Sequence, residues 1–221
     1  MADSMAELLT SAQNPKFKRL VALREKSRLR RDEGVFVVEG RRELEHCLEA
    51  GFEVETVFVC PEIADSAAGA TPRSLGPKTF ELSKELYAKV AYREGTEGVL
   101  AIVRSRELRL EDLKLGSKPL IMVLEGVEKP GNLGAVLRSA DAAGADAVIV
   151  CDPLTDLWNP NLIRASIGAV FTVPTVCCSS QEAIAWLKAR GIRHDDRSLR
   201  GFDRLLSQDS CFPRRSRTSF V

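Results

Sequence analysis

Three residues in the middle of the chain have types and a spacing that could support chemistry. Gly134, Arg138 and Asp141 recur at i, i+4 and i+7, so a helix would present them on one face. Arg138 would then place a permanent cation one to two turns inside the helix, where it could orient or stabilise an anion. The alternative is a surface ion pair between Arg138 and Asp141, which would contribute under about 1 kcal/mol. Spacing alone leaves both interpretations open.

A strand–helix–strand unit is predicted to position this face. The apolar runs 120–124 and 147–150 predict two buried parallel strands, and the Gly- and Pro-containing segment 125–131 predicts a loop. Asn132 is suited to cap the helix that follows, because its side-chain oxygen can accept a free N–H of the first turn. In such a unit, ligands bind beyond the carboxyl ends of the strands. The predicted inward face of the helix comprises Leu133, Val136, Leu137, Ala140 and Gly144.

The first hundred residues alternate helices and strands, which predicts a small α/β domain. A basic helix is predicted from Lys16 to Arg31, after Asn14 and Pro15. Its cations could follow a nucleic-acid backbone by releasing counterions, or they could form an ordinary solvated face. Further strands are predicted at 35–38, 54–60 and 98–103, helices at 41–50 and 83–89, and a flexible loop at 65–77.

The second half of the chain continues with a linker and more helices. The strongly charged stretch 106–118 predicts a linker. Asn159 and Pro160 start a helix, residues 172–174 predict the end of a strand, and 181–190 predict an amphipathic helix. The inward residues predicted for the helix after Pro160 are Ile163, Ile167 and Val170.

Composition indicates an ordinary globular protein of a reducing compartment. Apolar residues make up 44% of the chain and charged residues 29%. The 6 cysteines include no C-x-x-C pair, which argues against a structural zinc site or a disulfide framework and favours a cytoplasmic location. The N-terminus has no signal-peptide pattern, and no apolar run is long enough to cross a bilayer, so no membrane association is expected.

Four segments carry a family resemblance: Thr10–Lys16, Phe36–Gly40, Pro130–Asp141 and Asn159–Phe171. The last two resemble the first signature and the next characteristic segment of the SpoU, or TrmH-like, RNA ribose methyltransferases of the SPOUT superfamily. The first two resemble the small substrate-binding domain that many members carry. The matches keep their order across about residues 8–190, and separated matches in order are more specific than any one alone.

The resemblance implies a two-domain α/β architecture. A ribosomal-protein-like (L30e-like) RNA-binding domain is expected at 1–105, a linker at 106–118 and a SPOUT methyltransferase domain, normally trefoil-knotted, at 119–192. Family members continue through a Gly-x-Glu-x-x-Gly loop and a Ser-Leu-Asn segment, which bind the cofactor and form the knot. Neither piece occurs in 193–221, an Arg- and Ser-rich tail without Lys, Glu or Ala. A frame-shifted or otherwise aberrant end is favoured over an RNA-binding tail, so the domain is expected to be incomplete at its C-terminal end.

The resemblance also implies an activity, methylation of an RNA ribose 2′-hydroxyl by S-adenosyl-L-methionine, with ribosomal RNA favoured over transfer RNA. In the family, the arginine matched by Arg138 activates the hydroxyl, and Asn132 matches an asparagine that orders the same loop. A guanidinium is a poor base, so Arg138 is expected to orient the hydroxyl and stabilise the oxyanion. No metal is expected, and a homodimer is expected where the C-terminal domain is complete. The expected RNA-binding residues are Lys16, Lys18, Arg19, Arg28, Arg30, Arg31 and Arg164.

Two other classes of protein compete with this interpretation. A catalytically inactive RNA-binding remnant would keep both domains but would bind the cofactor weakly or not at all. A dinucleotide oxidoreductase would need G-x-G-x-x-G after a strand, and residues 131–134 lack that spacing.

Overall fold

A computed structural model describes residues 6–64, 78–92 and 97–192, which belong to two compact units. The first unit comprises the chain up to Arg106 together with Trp158–Arg164, and the second comprises Glu107–Leu157 and the chain from Ala165 onward. The predicted loop at 65–77 and the atypical tail at 193–221 lie outside the described residues. Among the helices of the described residues, none combines the length and the apolar character that crossing a membrane requires.

A mixed five-stranded sheet forms the centre of the first unit. Its strands are β1 (Glu7–Leu9), β2 (Val35–Glu39), β3 (Val54–Val59), β4 (Thr79–Leu82) and β5 (Val99–Arg104). The strand order is β1-β4-β3-β5-β2; β5 pairs antiparallel with β2 and β3, whereas β4 pairs parallel with β1 and β3. The strands predicted within the first hundred residues are confirmed. The short β1 and β4 were not predicted, because three or four residues are too few to establish a period of two.

Two helices replace the single basic helix predicted from Lys16 to Arg31. They are α1 (Pro15–Glu25) and α2 (Ser27–Glu33). The predicted helix start after Asn14 is confirmed, and Asn14 caps α1, since its side chain accepts the N–H of Lys16 at 2.9 Å. The prediction of one continuous helix is wrong because Lys26 adopts an extended conformation, with φ −105° and ψ 106°, between the two.

Three further helices follow in the first unit: α3 (Arg41–Glu49), α4 (Pro61–Ala64) and α5 (Lys84–Val90). The helices predicted at 41–50 and 83–89 are therefore confirmed. Ser83 caps α5, because its hydroxyl oxygen accepts the N–H of Leu86 at 3.4 Å.

An aromatic cluster fixes the segment 158–164 in the first unit. Trp158 stacks on Phe36 with ring centroids 4.4 Å apart and an interplanar angle of 13°. It also meets Phe52 edge-on at 5.6 Å. Aromatic pairs of this kind stabilise beyond the area that they bury. Local spacing could not reveal this placement, because it depends on rings that are more than a hundred positions apart in the chain.

The second unit is built on three parallel strands, β6 (Ile121–Glu125), β7 (Ala147–Cys151) and β8 (Thr175–Cys178), in that order across the sheet of the described residues. The strands predicted at 120–124 and 147–150 are confirmed. The predicted linker at 106–118 contributes to this unit: Leu110 is buried in its core and Leu108 forms a parallel bridge with Val176.

The central helix of the second unit, α6 (Pro130–Ala142), begins three residues earlier than predicted. Lys129 occupies the N-cap position and Pro130 the first helical position, where proline loses no hydrogen bond because the first turn has free N–H groups anyway. The prediction that Asn132 caps the helix is therefore wrong, since Asn132 lies inside the first turn. The buried residues of α6 are Leu133, Gly134, Leu137 and Ala140. The prediction that Gly134 shares an outward face with Arg138 is therefore wrong, and so is the inward position predicted for Gly144, which is exposed beyond the end of the helix.

Two short helices, α7 (Pro160–Ser166) and α8 (Ala169–Thr172), replace the helix predicted to bury Ile163, Ile167 and Val170. Ile163 and Val170 are buried, but the prediction for Ile167 is wrong. Ile167 is 41% exposed and has φ 53°, a left-handed conformation that ends α7.

The last described elements are β8 and the helix α9 (Ser180–Ala189), which confirms the amphipathic helix predicted at 181–190. The strand end predicted at 172–174 is wrong, because Thr172 closes α8 and the strand begins at Thr175. Ser179 and Glu182 form a capping box at the start of α9, in which each side chain accepts the backbone N–H of the other.

Candidate functional site

The carboxyl ends of the three parallel strands carry a compact polar network. The Ser180 hydroxyl oxygen lies 2.8 Å from Glu125 Oε1 and 2.5 Å from Asp152 Oδ2, and the Ser180 N–H donates to the same Asp152 oxygen at 3.1 Å. The hydroxyl and the N–H of Ser180 hold the pKa of Asp152 below its usual range. Because parallel sheets bind ligands beyond this edge, both carboxylates lie where a ligand is expected.

The cysteines at the same edge are protonated thiols rather than nucleophiles. Burial raises the pKa of Cys151 to about 12. Burial also raises the pKa of Cys178, which lies against Cys151. A thiol reacts through its thiolate, so these groups are inert near neutral pH. The chemistry of this edge therefore rests on its oxygen and nitrogen groups.

Arg138 lies on the exposed side of α6, and within the described residues its guanidinium has no hydrogen bond or ion pair. Asn132 is exposed in the first turn of the same helix. Six positions of a helix correspond to about 9 Å along the axis and about 120° around it. The helix alone therefore does not bring the two side chains together, and a ligand that contacts both has to span that distance.

Asp141 is hydrogen-bonded to a residue other than Arg138. It accepts a hydrogen bond from the Thr172 hydroxyl at 3.1 Å, which links α6 to the end of α8. The alternative of an Arg138–Asp141 ion pair is thus not observed among the described residues. The five N–H donors of the Arg138 side chain face no acceptor in that part of the chain and can meet an external anion.

The basic helices α1 and α2 expose three of the cations predicted to bind RNA. Lys18, Arg28 and Arg31 are all exposed. Arg28 is 3.6 Å from Asp32, but both side chains are largely in solvent, so this pair contributes little. These three side chains can approach a phosphate backbone without breaking a buried interaction.

Two other predicted RNA-binding cations are compensated within the fold. Arg19 donates from Nε to Glu33 at 2.8 Å and from Nη1 to Glu55 at 2.6 Å. Lys16 forms an ion pair with Glu7 at 2.5 Å. Counting Lys and Arg along the chain could not show this, because Glu33 and Glu55 meet Arg19 only through the tertiary fold.

Arg30 is also engaged in the fold. Only 3% of it is exposed, and its Nη1 donates to the carbonyl oxygens of Leu23 at 2.6 Å and Arg24 at 3.0 Å. These carbonyls lie at the end of α1, where helical partners are missing. Arg30 therefore ties α2 to the end of α1 and stabilises the break between them.

Arg164 lies in the first unit, stacked on an aromatic ring. Its guanidinium carbon is 3.7 Å from the centroid of Tyr92, and its Nη2 donates to Asn161 Oδ1 at 3.4 Å. The Tyr92 N–H donates to Glu39 Oε1 at 2.8 Å. Burial raises the pKa of Glu39, while this N–H and the charges of Arg24 and Arg164 oppose the rise. The exposed Arg164 is thereby held in a defined orientation.

Sequence reasoning missed Ser180 and Tyr92. The segment Ser179–Glu182 has the S-x-x-E pattern of a capping box, which would have indicated the start of α9 and a polar residue at the strand edge. No local pattern distinguishes Tyr92, because its contacts with Glu39 and Arg164 join distant parts of the chain.

Two known families match successive parts of this chain, in the order that the four resembling segments indicate. Residues 14–101 match the MRM3-like substrate binding domain, and residues 119–203 match the SpoU rRNA Methylase family.

Individual relatives cover most of the chain. It is 38% identical to the crystal structure of an RNA 2′-O ribose methyltransferase, with a TM-score of 0.70 over 85% of this chain and 71% of that chain. It is 28% identical to the AdoMet-bound rRNA methyltransferase from Sinorhizobium meliloti, with a TM-score of 0.71 over 83% of this chain and 69% of that chain. Among curated proteins, it is 28% identical to the 23S rRNA (guanosine(2553)-2′-O)-methyltransferase RlmP of Bacillus subtilis, over 84% of this chain and 71% of that protein. The chain spans 64% of one further curated relative and 32% to 40% of six others.

Proposed function

Because this chain belongs to the SpoU rRNA methylase family, we propose that it transfers a methyl group from S-adenosyl-L-methionine to a ribose 2′-hydroxyl of ribosomal RNA. The region that matches the substrate-binding domain precedes the region that matches the methylase family, as the resemblance implies. The observation that supports the proposal most directly is the 38% identity with an RNA 2′-O ribose methyltransferase over 85% of this chain.

Arg138 is the residue we assign to the reacting hydroxyl. A guanidinium stays charged near neutral pH, so Arg138 cannot act as a general base there. Its N–H groups orient the 2′-oxygen and stabilise the negative charge that develops on it as the hydroxyl proton passes to solvent water. Asn132, about 1.7 turns closer to the strand ends, is the second residue that we assign to this site. RNA contacts elsewhere in the chain supply the binding free energy that holds the ribose 2′-oxygen in line with the methyl group.

Glu125 and Asp152, at the carboxyl ends of the parallel strands, have a charge opposite to that of the sulfonium and the ammonium of the cofactor. S-adenosylmethionine supplies an electrophilic methyl group when it is bound, and it carries a sulfonium, an ammonium and a ribose diol. Ser180 engages only one oxygen each of Glu125 and Asp152, so the other oxygens can accept from the diol or the ammonium. We assign these two carboxylates to cofactor binding.

RNA is the principal partner, and Lys18, Arg28, Arg31 and Arg164 are the cations that we assign to its phosphates. We also propose a cytoplasmic location. A homodimer is expected where the methyltransferase domain is complete, and light scattering of the purified chain at several concentrations tests it.

Methyl transfer to unmodified 23S ribosomal RNA, transcribed in vitro and incubated with tritium-labelled S-adenosylmethionine, tests the activity. We expect label at a 2′-oxygen, and a loss of about 100-fold or more in Arg138→Ala, because oxyanion donors of this kind contribute that much to turnover. Titration calorimetry should show unchanged cofactor affinity in Arg138→Ala. Arg190→Ala, at the exposed end of α9, is the matched control and should retain activity.

Two results would contradict the proposal. Undiminished turnover by Arg138→Ala would remove the role of Arg138. Binding of RNA without measurable binding of S-adenosylmethionine would instead favour the inactive RNA-binding remnant.

A further inference from the structure

A cavity of about 180 Å³ opens in the first unit beside the stacked pair Tyr92 and Arg164. Its volume corresponds to about six water molecules, which is room for one planar heterocycle. All of its lining residues belong to the first unit, and Arg138 does not. They are Val37, Glu39, Gly40, Glu43, Tyr92, Glu97, Pro160, Ile163 and Arg164.

The wall formed by Tyr92 and Arg164 is suited to stacking. Tyr92 is 44% exposed, a high fraction for an aromatic side chain held in place by a guanidinium 3.7 Å from its centroid. Arg24 adds a second cation 5.6 Å from the same ring. Unpaired RNA bases are bound by stacking on aromatic rings and on guanidinium planes, so both kinds of surface meet at this cavity.

The carboxylates of the cavity are not equally available. Glu97 Oε2 accepts the first N–H groups of α3, from Arg41 and, at 3.3 Å, from Arg42. Glu39 accepts the N–H of Tyr92. Glu43 has no hydrogen bond or ion pair with the described residues, so both of its oxygens can accept from a ligand.

Gly40 makes room for that carboxylate. A Cβ atom at Gly40 would lie 2.6 Å from Glu43 Oε2, so the flexible end of the Glu43 side chain would have to shift. Its φ of +103° is likewise a conformation that side chains with a Cβ rarely adopt. Glycine at this position therefore leaves Glu43 space beside the cavity.

Resting on the proposed function, we propose that this cavity binds an unpaired guanine base of the substrate RNA. The base stacks against Tyr92 and Arg164, and its Watson–Crick edge faces Glu43. An ionised carboxylate only accepts hydrogen bonds. Guanine presents two adjacent donors on that edge, N1–H and the 2-amino group, whereas the other three bases place an acceptor beside each donor. Arg164 lines the cavity, and its charge disfavours a free cation in the same place and favours the RNA phosphates.

Binding of labelled heptauridylates that carry G, A, C or U at the central position tests this proposal. Fluorescence anisotropy is measured without cofactor and with EDTA, so that neither methyl transfer nor a divalent ion contributes. We expect the wild-type chain to bind the G-containing oligomer about fivefold or more tightly than the others, as one bidentate contact to a base provides. Glu43→Gln should remove that preference, because the amide replaces one acceptor with a donor.

Glu45→Gln is the matched control, since it changes the same charge on an exposed position of α3 outside the cavity. It should keep the preference, while Tyr92→Ala should weaken binding of all four oligomers and Tyr92→Phe should not. Equal affinity of the wild type for the four oligomers, or a preference that survives in Glu43→Gln, would overturn the proposal. This binding assay does not depend on methyl transfer. A chain that prefers guanine here but fails the methylation assay would therefore support this site and refute only the proposed activity.

Discussion

The Ser180 hydroxyl oxygen lies 2.5 Å from Asp152 Oδ2, where the first turn of α9 meets the end of β7. The same oxygen is 2.8 Å from Glu125 at the end of β6. A serine hydroxyl has one proton, so it donates to only one of the two carboxylates at a time. Ser180 therefore holds two like charges near each other at the edge where we place the cofactor.

Replacing Ser180 with alanine should destabilise the chain in a pH-dependent way. Hydrogen bonds from Ser180 lower the pKa of Asp152 in the folded state below the ordinary value of 3.8. A carboxyl whose pKa is lowered on folding stabilises the fold above its unfolded pKa, and this contribution disappears as the pH falls through the folded pKa. The difference in urea midpoint between wild type and Ser180→Ala should thus be full near neutral pH and should shrink in the acid range below about pH 4. Ser139→Ala, an exposed serine on α6, is the control and should show no such dependence. A constant difference down to pH 2 would show that Asp152 is not the coupled group.

Arg30→Met should lower the free energy of unfolding by about 1.5–3 kcal/mol, because two carbonyl oxygens at the end of α1 lose a charged donor inside the fold. Urea denaturation measures the change. Arg31→Met makes the same substitution at the next, exposed position and should change stability by less than about 0.5 kcal/mol. Equal effects of the two substitutions would contradict the structural role of Arg30.

The exposed cations Lys18, Arg28 and Arg31 should each release counterions on RNA binding. Replacing any one with alanine should reduce the slope of log K against log salt by about 0.7–0.9, measured by anisotropy over a range of KCl concentrations. Arg19→Ala is the informative comparison, because Arg19 is already paired with Glu33 and Glu55. This substitution should change the stability of the chain more than the slope of its RNA binding. A larger change of slope in Arg19→Ala than in Arg31→Ala would reverse this assignment.

Ile167→Asn should stabilise the chain by about 1 kcal/mol. Ile167 has φ 53°, a left-handed conformation that costs a β-branched residue about 1–2 kcal/mol, whereas asparagine tolerates it. The side chain is 41% exposed, so the substitution removes little buried apolar area. Thermal unfolding measures the gain, and Ile163→Asn, which is buried, should destabilise strongly. A fall in melting temperature for Ile167→Asn would show that its side chain makes a contact worth more than the relieved strain.

Local patterns in the sequence were sufficient for much of the fold. The apolar runs at 120–124 and 147–150 and the caps at Asn14 and Ser83 lead to the observed strands and helices, because these features involve residues close together in the chain. Asn132 shows where local rules compete. Pro130 is preferred at the first helical position, and this preference outweighs the capping tendency of an asparagine two positions later.

The sequence by itself determined the family, through four segments that keep their order along the chain. It also determined the parallel strand pair around α6, because apolar runs are local features. Only the tertiary structure decided which cations are compensated, as for Arg19 and Arg30, and that residues 158–164 pack with the first unit. It also brought Tyr92 to Arg164 and Ser180 to Asp152. Those outcomes depend on side chains far apart in the chain, whose contacts are formed by packing and have no local signature.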